Sequence, residues 1–113
     1  MSNEWIWFAG LFEGEGCINI CRQKGRRTSR ISLVIRMTDE DVMLRVSQLL
    51  NRKLYKCKKQ QPHHKQAWQC NIQNREDILR VLSYIEPYMG ERRRQSIEEV
   101  REYYRWWDET KHT

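Results

Sequence analysis

The segment Trp5–Gly16 constrains the fold of this chain more than any other. It is an apolar run, Trp-Ile-Trp-Phe-Ala-Gly-Leu-Phe, that ends in two glutamates alternating with glycines. The pattern predicts a helix that stops at this point, because glycine commonly ends helices. The helix dipole disfavours carboxylates at its C-terminus. We therefore expect the two glutamates to meet a cation or the N-terminus of another helix.

Two glycines give the predicted helix an open face. Gly10 and Gly14 stand four residues apart and so share one side of the helix. Without side chains there, a second helix can approach closely. The opposite side, with Trp5, Phe8 and Phe12, is bulky enough to pack into a core. The segment therefore predicts one half of a tight helix pair with the carboxylates at its end.

Positive charge is concentrated in one part of the 113 residues. The net charge is +6, and the stretch from Arg22 to Lys65 holds thirteen Lys or Arg against three acids. This favours a polyanionic partner, and the length suits a single domain over 1–113. No run approaches the ~20 apolar residues of a membrane span, and no basic region precedes the first apolar segment. We expect a soluble, intracellular protein without a signal peptide.

The four cysteines fall in predicted strands and form no C-x-x-C pair. We interpret them as reduced thiols that fill strand positions. The alternative, a zinc site that includes His63 or His64, is less favoured. The cysteines are Cys17, Cys21, Cys57 and Cys70.

Hydrophobic periodicity predicts two β-hairpins, each followed by a helix, and a long final helix. Thr38 and Asn74 are expected to cap the second and third helices, because each has an acid three residues later. Asn51 is expected to end the second helix. The predicted strands are Cys17–Arg22, Arg30–Met37, Arg52–Gln60 and Gln66–Gln73, and the final helix is Glu91–Lys111.

One face of these strands is rich in Arg, Lys, Asn and Gln. Such a ribbon can lie in the major groove of double-stranded DNA, where Arg or Lys binds guanine and Asn or Gln binds adenine. Lysines and hairpin-tip arginines would bind phosphates. The alternative is an exposed face that only keeps the protein soluble. The residues assigned to DNA binding are Asn19, Arg22, Lys24, Arg26, Arg27, Arg30, Ser32, Arg36, Lys56, Lys58, Gln69, Asn71 and Gln73.

Residues 8–16, Phe-Ala-Gly-Leu-Phe-Glu-Gly-Glu-Gly, resemble the nine-residue signature of the LAGLIDADG homing endonucleases, with Phe for Leu and Glu for Asp. The predicted order of elements is similar to the αββαββα core of that family over nearly the whole chain. The resemblance implies an α+β fold in which four antiparallel strands form a curved, saddle-shaped sheet with helices on one face.

The resemblance also implies a metal site and a dimer. In that family the signature helix forms the dimer or pseudo-dimer interface, and its last acidic residue, here Glu15, binds a divalent metal. The carbonyl of Gly14 can join it, and Mg²⁺ or Mn²⁺ is expected, without an organic cofactor. Glu13 matches the position that caps the partner helix. A single signature implies a homodimer, whose interface we assign to Ile6, Gly10, Glu13 and Gly14.

The segment around Pro87 is similar to the part of the family that delivers a basic residue near the scissile phosphate. Counted from the proline, this residue is Arg92, with Arg93 and Arg94 adjoining it. Arg36, at the end of the second predicted strand, approximates another polar position near the active site. Arginine stabilises negative charge but cannot deprotonate water at neutral pH.

The resemblance therefore implies an endonuclease of a mobile genetic element. It would act as a homodimer, require a divalent metal, and make a staggered cut in double-stranded DNA at a near-palindromic site. One alternative is a protein of the same fold that binds nucleic acid without cutting it, such as a maturase or a regulator. Another is a scaffold for an acidic protein. Two acids near phosphates favour the nuclease, because a pure binder gains nothing from them.

Overall fold

A computed structural model describes residues 3–22, 29–59 and 61–111. Helices and strands follow one another in the predicted order. The helices are α1 (Asn3–Glu15), α2 (Glu40–Leu50), α3 (Arg75–Ile85) and α4 (Glu91–Lys111), with a 3₁₀ turn at Glu86–Tyr88 between the last two. The strands are β1 (Gly16–Arg22), β2 (Ser29–Met37), β3 (Tyr55–Lys56) and β4 (Trp68–Ile72).

The four strands form one antiparallel sheet in the order β1-β2-β4-β3. Asn19 pairs with Ser32, and Arg36 pairs with Gln69. Because directly paired residues point to the same side of a sheet, the polar positions of three strands share one face. The predicted four-stranded α+β architecture is confirmed.

The other face of the sheet packs against the helices. Alternate residues of β2, Ile31, Leu33 and Ile35, are buried there, as are Cys70 and Ile72 of β4. Each helix adds an apolar stripe to this core, and within the described residues no polar or charged side chain is buried. The helical contributors are Phe8, Ala9, Phe12, Met43, Val46, Leu50, Ile78, Val81, Leu82, Ile85, Ile97 and Val100. None of the described helices is long and apolar enough to cross a membrane.

Local end signals place two helix boundaries where the sequence predicts them. The Asn74 side chain accepts a hydrogen bond from the backbone N of Asp77 at 3.2 Å, which caps α3. Asn51 ends α2 in the left-handed conformation, with φ of 52°. The prediction for the start of α2 is wrong by one residue, because Asp39 and not Thr38 is the N-cap, and its side chain makes no capping hydrogen bond.

The third strand is much shorter than predicted. Only Tyr55 and Lys56 form β3, against the expected Arg52–Gln60. This strand lies at the edge of the sheet and its sequence is crowded with lysines, a composition that discourages regular pairing at edges. Beyond it, the backbone N of Cys57 still donates to the carbonyl of Ala67 at 2.9 Å, which closes the turn toward β4.

Candidate functional site

The C-terminus of α1 lies against the N-terminus of α4. The backbone N of Gly90, just before α4, donates to Oε1 of Glu13 at 3.1 Å. Glu13 lies in the last turn of α1, the pole that disfavours an acid, but the N-terminus of α4 favours one. Within this chain the Glu13 carboxylate therefore caps α4, and its predicted place at a dimer interface stays a prediction.

Arg93 of α4 makes the opposite contact, from α4 to the end of α1. Its guanidinium donates to the carbonyl of Gly16 at 2.7 Å and to that of Glu13 at 3.2 Å. It also lies over the ring of Phe12, 5.3 Å from the centroid, and its side chain is only 12% exposed. A cation in the first turn of α4 opposes the dipole of that helix, whereas at the end of α1 it is favourable. Glu13 and Arg93 each serve the neighbouring helix.

The sequence prediction does not include this role of Arg93. Distance from Pro87 predicts Arg92, whose side chain is exposed and makes no hydrogen bond, ion pair or ring contact among the described residues. The guanidinium of Arg94 donates to the carbonyl of Pro87 at 3.2 Å. The available signal is that three consecutive arginines open α4, since cations at a helix N-terminus require an outside partner.

Glu15 is the last residue of α1 and is exposed. Its carboxylate has no hydrogen bond or ion pair among the described residues. Gly14 beside it is exposed, and nothing lies within 4 Å of a Cβ built there. A free carboxylate next to the carbonyls of a helix end fits a hard cation such as Mg²⁺, which prefers oxygen ligands. Across residues 3–22, 29–59 and 61–111, no three His, Cys, Asp or Glu gather into a complete metal site.

One side of α1 is left uncovered. The helix is apolar around most of its circumference, yet its buried residues are Phe8, Ala9 and Phe12 alone among those described. On the open side, nothing lies within 4 Å of a Cβ built at Gly10, and Ile6 is 44% exposed. A helix that is apolar all round is normally buried on all sides. The predicted interface residues Ile6, Gly10 and Gly14 therefore lie on a surface that residues 3–22, 29–59 and 61–111 leave uncovered.

The flanks of α1 are fixed within the chain. The guanidinium of Arg45 in α2 forms an ion pair with Glu4 and lies 3.8 Å from the centroid of the Trp7 ring. The hydrogen bond from Arg45 lowers the pKa of Glu4 below its ordinary value. On another side, Trp5 contacts the ring of Tyr84 in α3, with 4.8 Å between centroids. These contacts orient the helix and so determine which side of it stays open.

Gly16 begins β1 directly after the glutamate pair. A Cβ at this position would lie 2.2 Å from the ring of Phe12, far inside contact distance. The strand can therefore follow the helix without a linker only because this residue has no side chain. Gly16 pairs with Ile35, so Glu15 before it and Arg36 after Ile35 lie at the same end of the β1–β2 pair.

The face of the sheet away from the helices carries most of the predicted DNA-binding residues. The strand register brings together six of them, and Gln73 continues the same alternation beyond β4. Arg22 pairs in β1, but its side chain lies outside the described part, as do Lys24, Arg26 and Arg27 entirely. The six are Asn19, Arg30, Ser32, Arg36, Gln69 and Asn71.

The prediction is wrong for the face occupied by Lys56. Lys56 pairs with Trp68 on the helix side of the sheet, and its ammonium lies 5.8 Å from the centroid of that ring. Tyr55 instead pairs with Gln69 and joins the polar face, where it is 48% exposed. The lysines at alternate positions suggest a polar side of this strand. An edge strand without a buried side has no apolar alternation that would show which way its residues point.

Lys58 lies in a basic cleft at the end of β3. The cleft has a volume of about 440 Å³ and includes Arg36 from the polar face. Its cationic lining favours an anionic group such as a phosphate. The lining residues are Arg36, Met37, Thr38, Cys57, Lys58, Lys59, His64, Lys65 and Ala67.

A second cavity, of about 1060 Å³, lies between α4 and the sheet. It is lined by Asn19, Arg30 and Gln73 together with Tyr103 and Trp107, and it does not include Glu15. The polar and aromatic lining is separate from the helix end that carries the candidate metal ligand. This cavity and the candidate metal site are therefore different parts of the surface.

Two amides on the polar face are joined to each other. The Gln69 side chain donates to Oδ1 of Asn71 at 2.8 Å, and Sγ of Cys57 lies 4.0 Å from Oε1 of Gln69. The contact leaves the amide nitrogen of Asn71 available as a donor. Donor and acceptor groups of this kind are what base edges in a major groove require.

The fold and the site define a class: an α+β protein with a polar sheet face and an acidic helix end beside an open helix surface. The chain matches the sequence model of the family described as LAGLIDADG endonuclease over residues 8–104. It therefore belongs to the LAGLIDADG endonuclease family. No curated protein sequence matches it significantly.

Solved structures of homing endonucleases share the fold. I-CeuI complexed with DNA is 11% identical with a TM-score of 0.72, and the match covers 99% of this chain and 58% of that one. I-AabMI bound to uncleaved DNA is 19% identical with a TM-score of 0.71, over 98% and 39% of the two chains. I-CvuI in complex with its target is 17% identical with a TM-score of 0.66, over 88% and 66%. This chain thus spans less than two thirds of each of them.

Proposed function

We propose that this protein is a homing endonuclease that hydrolyses phosphodiester bonds in double-stranded DNA as a homodimer with a divalent metal. The observation that carries the proposal is the position of Glu15. Its carboxylate, which has no partner among the described residues, ends a helix whose adjoining glycine surface is bare. A second copy of α1 against that surface would bring a second Glu15 beside the first, and so a second acidic group that the described part of one chain does not place there.

The metal is proposed to be Mg²⁺, with Mn²⁺ as a substitute. Glu15 and the carbonyl of Gly14 would hold it, and I-CvuI was studied with DNA in the presence of Ca or Mg. A bound divalent ion lowers the pKa of water and neutralises charge on a phosphate. Two adjacent carboxylates without a cation would repel each other, so the paired Glu15 residues favour metal binding.

Arg92 and Arg36 are proposed to stabilise the charge that develops on the scissile phosphate. Both side chains are exposed. Arg92 precedes Arg93 in the first turn of α4, whose N-terminus contacts the end of α1. Arg36 lies at the same end of the β1–β2 pair as Glu15. A guanidinium stays protonated and can bind a phosphate through two N–H groups, so both residues would act as cations and not as bases.

The polar face of the sheet is proposed to bind the major groove. I-CeuI and I-AabMI are described with bound DNA, which supports the same partner for this chain. A twofold dimer reads the same sequence twice in opposite directions, so its target would be nearly palindromic. Two active sites, one for each strand, would give a staggered cut.

The proposal is tested with a plasmid library that carries randomised, near-palindromic inserts. Wild-type protein with Mg²⁺ is expected to linearise some members, and sequencing of the cut ends gives the site and the stagger. Glu15→Gln should lower the cleavage rate at that site at least about 100-fold, because several kcal/mol of transition-state stabilisation are lost. Gel shifts in Ca²⁺ should remain unchanged.

The matched control is Glu102→Gln, which makes the same change at an exposed position of α4. It should cleave like wild type. Cleavage by Glu15→Gln at the wild-type rate would show that this carboxylate is not the metal ligand. The second candidate function, binding without cutting, is favoured by the inward position of Arg93, which keeps one cation away from the phosphate. Gel shifts without cleavage in either Mg²⁺ or Mn²⁺ would support it.

A further inference from the structure

Arg93 is more enclosed than the other arginines that form ion pairs in the described part of the chain. Its side chain is 12% exposed, while the other arginines that form ion pairs among the described residues are 29 to 54% exposed. Moving a guanidinium out of water is costly unless carbonyls or carboxylates satisfy it. Arg93 must therefore make contacts that offset this cost.

The residues that Arg93 contacts lie on either side of the candidate metal ligands along the sequence. Its two carbonyl acceptors belong to Glu13 and Gly16, at 3.2 and 2.7 Å. Between them lie Gly14 and Glu15, the two residues proposed to hold the cation. The last carbonyls of a helix have no partner within the helix, so a bound donor there fixes a segment that otherwise frays.

The planar guanidinium is also held from its face. The ring of Phe12 lies 5.3 Å below it, and Phe12 itself is 1% exposed. Oε2 of Glu13 lies 3.6 Å from its Nε, and the other carboxylate oxygen accepts from Gly90. With one aromatic face, two carbonyls and one carboxylate around it, the Arg93 side chain is fixed in direction toward α1 and is not directed at a phosphate.

We propose that Arg93 is a positioning residue that clamps the end of α1 and so fixes the Gly14–Glu15 segment for metal binding. The inference rests on the proposed role of Glu15. It assigns to Arg93 no contact with DNA and no part in proton transfer. Partners that orient metal ligands typically change metal affinity about 10- to 100-fold when they are removed.

The geometry of the clamp separates arginine from lysine. A guanidinium presents several N–H groups in one plane and can bridge two carbonyls while stacked on a ring, whereas an ammonium is a compact point charge. Arg93→Lys therefore keeps the charge and removes the bridge. Arg93→Gln removes the charge and keeps a planar amide, and it gives a second measurement if the lysine variant folds poorly.

The first experiment measures amide hydrogen exchange in the metal-free protein, residue by residue. Arg93→Lys is expected to speed exchange at residues 14–17 about tenfold, with exchange in α2 and α3 unchanged. Arg92→Lys is the matched control, because it makes the same substitution one position earlier on an exposed side chain, and its exchange should equal that of wild type. A uniform increase along the chain would show a merely structural role and would overturn the proposal.

The second experiment titrates Mn²⁺ and follows binding by electron paramagnetic resonance. Wild type should bind, Glu15→Gln should not, and Arg93→Lys should bind about tenfold more weakly. Equal affinities of wild type and Arg93→Lys would overturn the positioning role alone. Absence of binding to wild type would overturn the metal role of Glu15 and, with it, this inference, so the two failures are distinguishable.

Discussion

The four glycines that the structure describes form two contrasting pairs. At Gly16 and Gly90 the chain itself occupies the space where a side chain would lie, because a Cβ would be 2.2 Å from the Phe12 ring and 2.8 Å from the Glu13 carboxylate. At Gly10 and Gly14 nothing lies within 4 Å. Glycine in a helix interior costs roughly 0.5 to 1 kcal/mol relative to alanine. The first pair is explained by contacts within the chain, and the second pair is not.

The contrast shows which surface of α1 the described residues leave uncovered. Both pairs surround α1, but only the bare pair lies beside exposed Ile6. A surface without side chains on an apolar helix is useful when another backbone approaches it. The comparison therefore supports a second copy of α1 on this surface, as proposed. Three substitutions test the contrast between the two glycine pairs, and the one at Gly10 tests the second copy.

The largest expected effect is at Gly16. Gly16→Ala adds a methyl group that overlaps the Phe12 ring. Overpacking of this kind costs about 1 to 3 kcal/mol of unfolding free energy. Urea unfolding followed by circular dichroism measures it. The double variant Phe12→Leu/Gly16→Ala should lose less than the sum of the two single changes. If the losses of unfolding free energy from the two single changes simply add, the Phe12 ring is not the reason that position 16 requires glycine.

An intermediate effect is expected at Gly10, and it concerns association. Gly10→Leu should leave the monomer as stable or stabilise it by about 1 kcal/mol, because leucine favours helices and meets no atom of its own chain. It should weaken the dimer at least about tenfold, which corresponds to 1.4 kcal/mol. Sedimentation equilibrium measures the dissociation constant. The same dissociation constant as wild type would remove this surface from the interface.

The smallest effect is expected at Gly90. The atom that a new Cβ would meet is the end of the flexible Glu13 side chain, which can move. Gly90→Ala should cost about 0.5 to 1 kcal/mol of unfolding free energy, by weakening the cap on α4. In a Glu13→Ala background the cost should disappear, and thermal unfolding of the four proteins measures the coupling. A penalty that persists there would arise from the backbone and not from the cap.

Predictions from sequence succeeded where the deciding contacts are local. Asn74 and Asn51 mark helix ends through bonds to residues a few positions away, and the alternation in β2 follows from one buried face. They failed at β3, where Lys56 was assigned to the polar face. An edge strand is paired on one side and weakly buried, so its register depends on where β4 lies and not on its own pattern.

The sequence by itself determined that α1 is apolar, notched by glycines and ended by two acids, because these properties follow from spacing along a helix. It also determined the polar strands, since alternation places every second residue on one side. Only the tertiary structure decided which partner each charge at the helix ends meets. Glu13 and Arg93 are 80 residues apart and come together because α1 and α4 meet end to end. Charges unfavourable within each helix alone are favourable across that junction, and this depends on packing that no local pattern encodes.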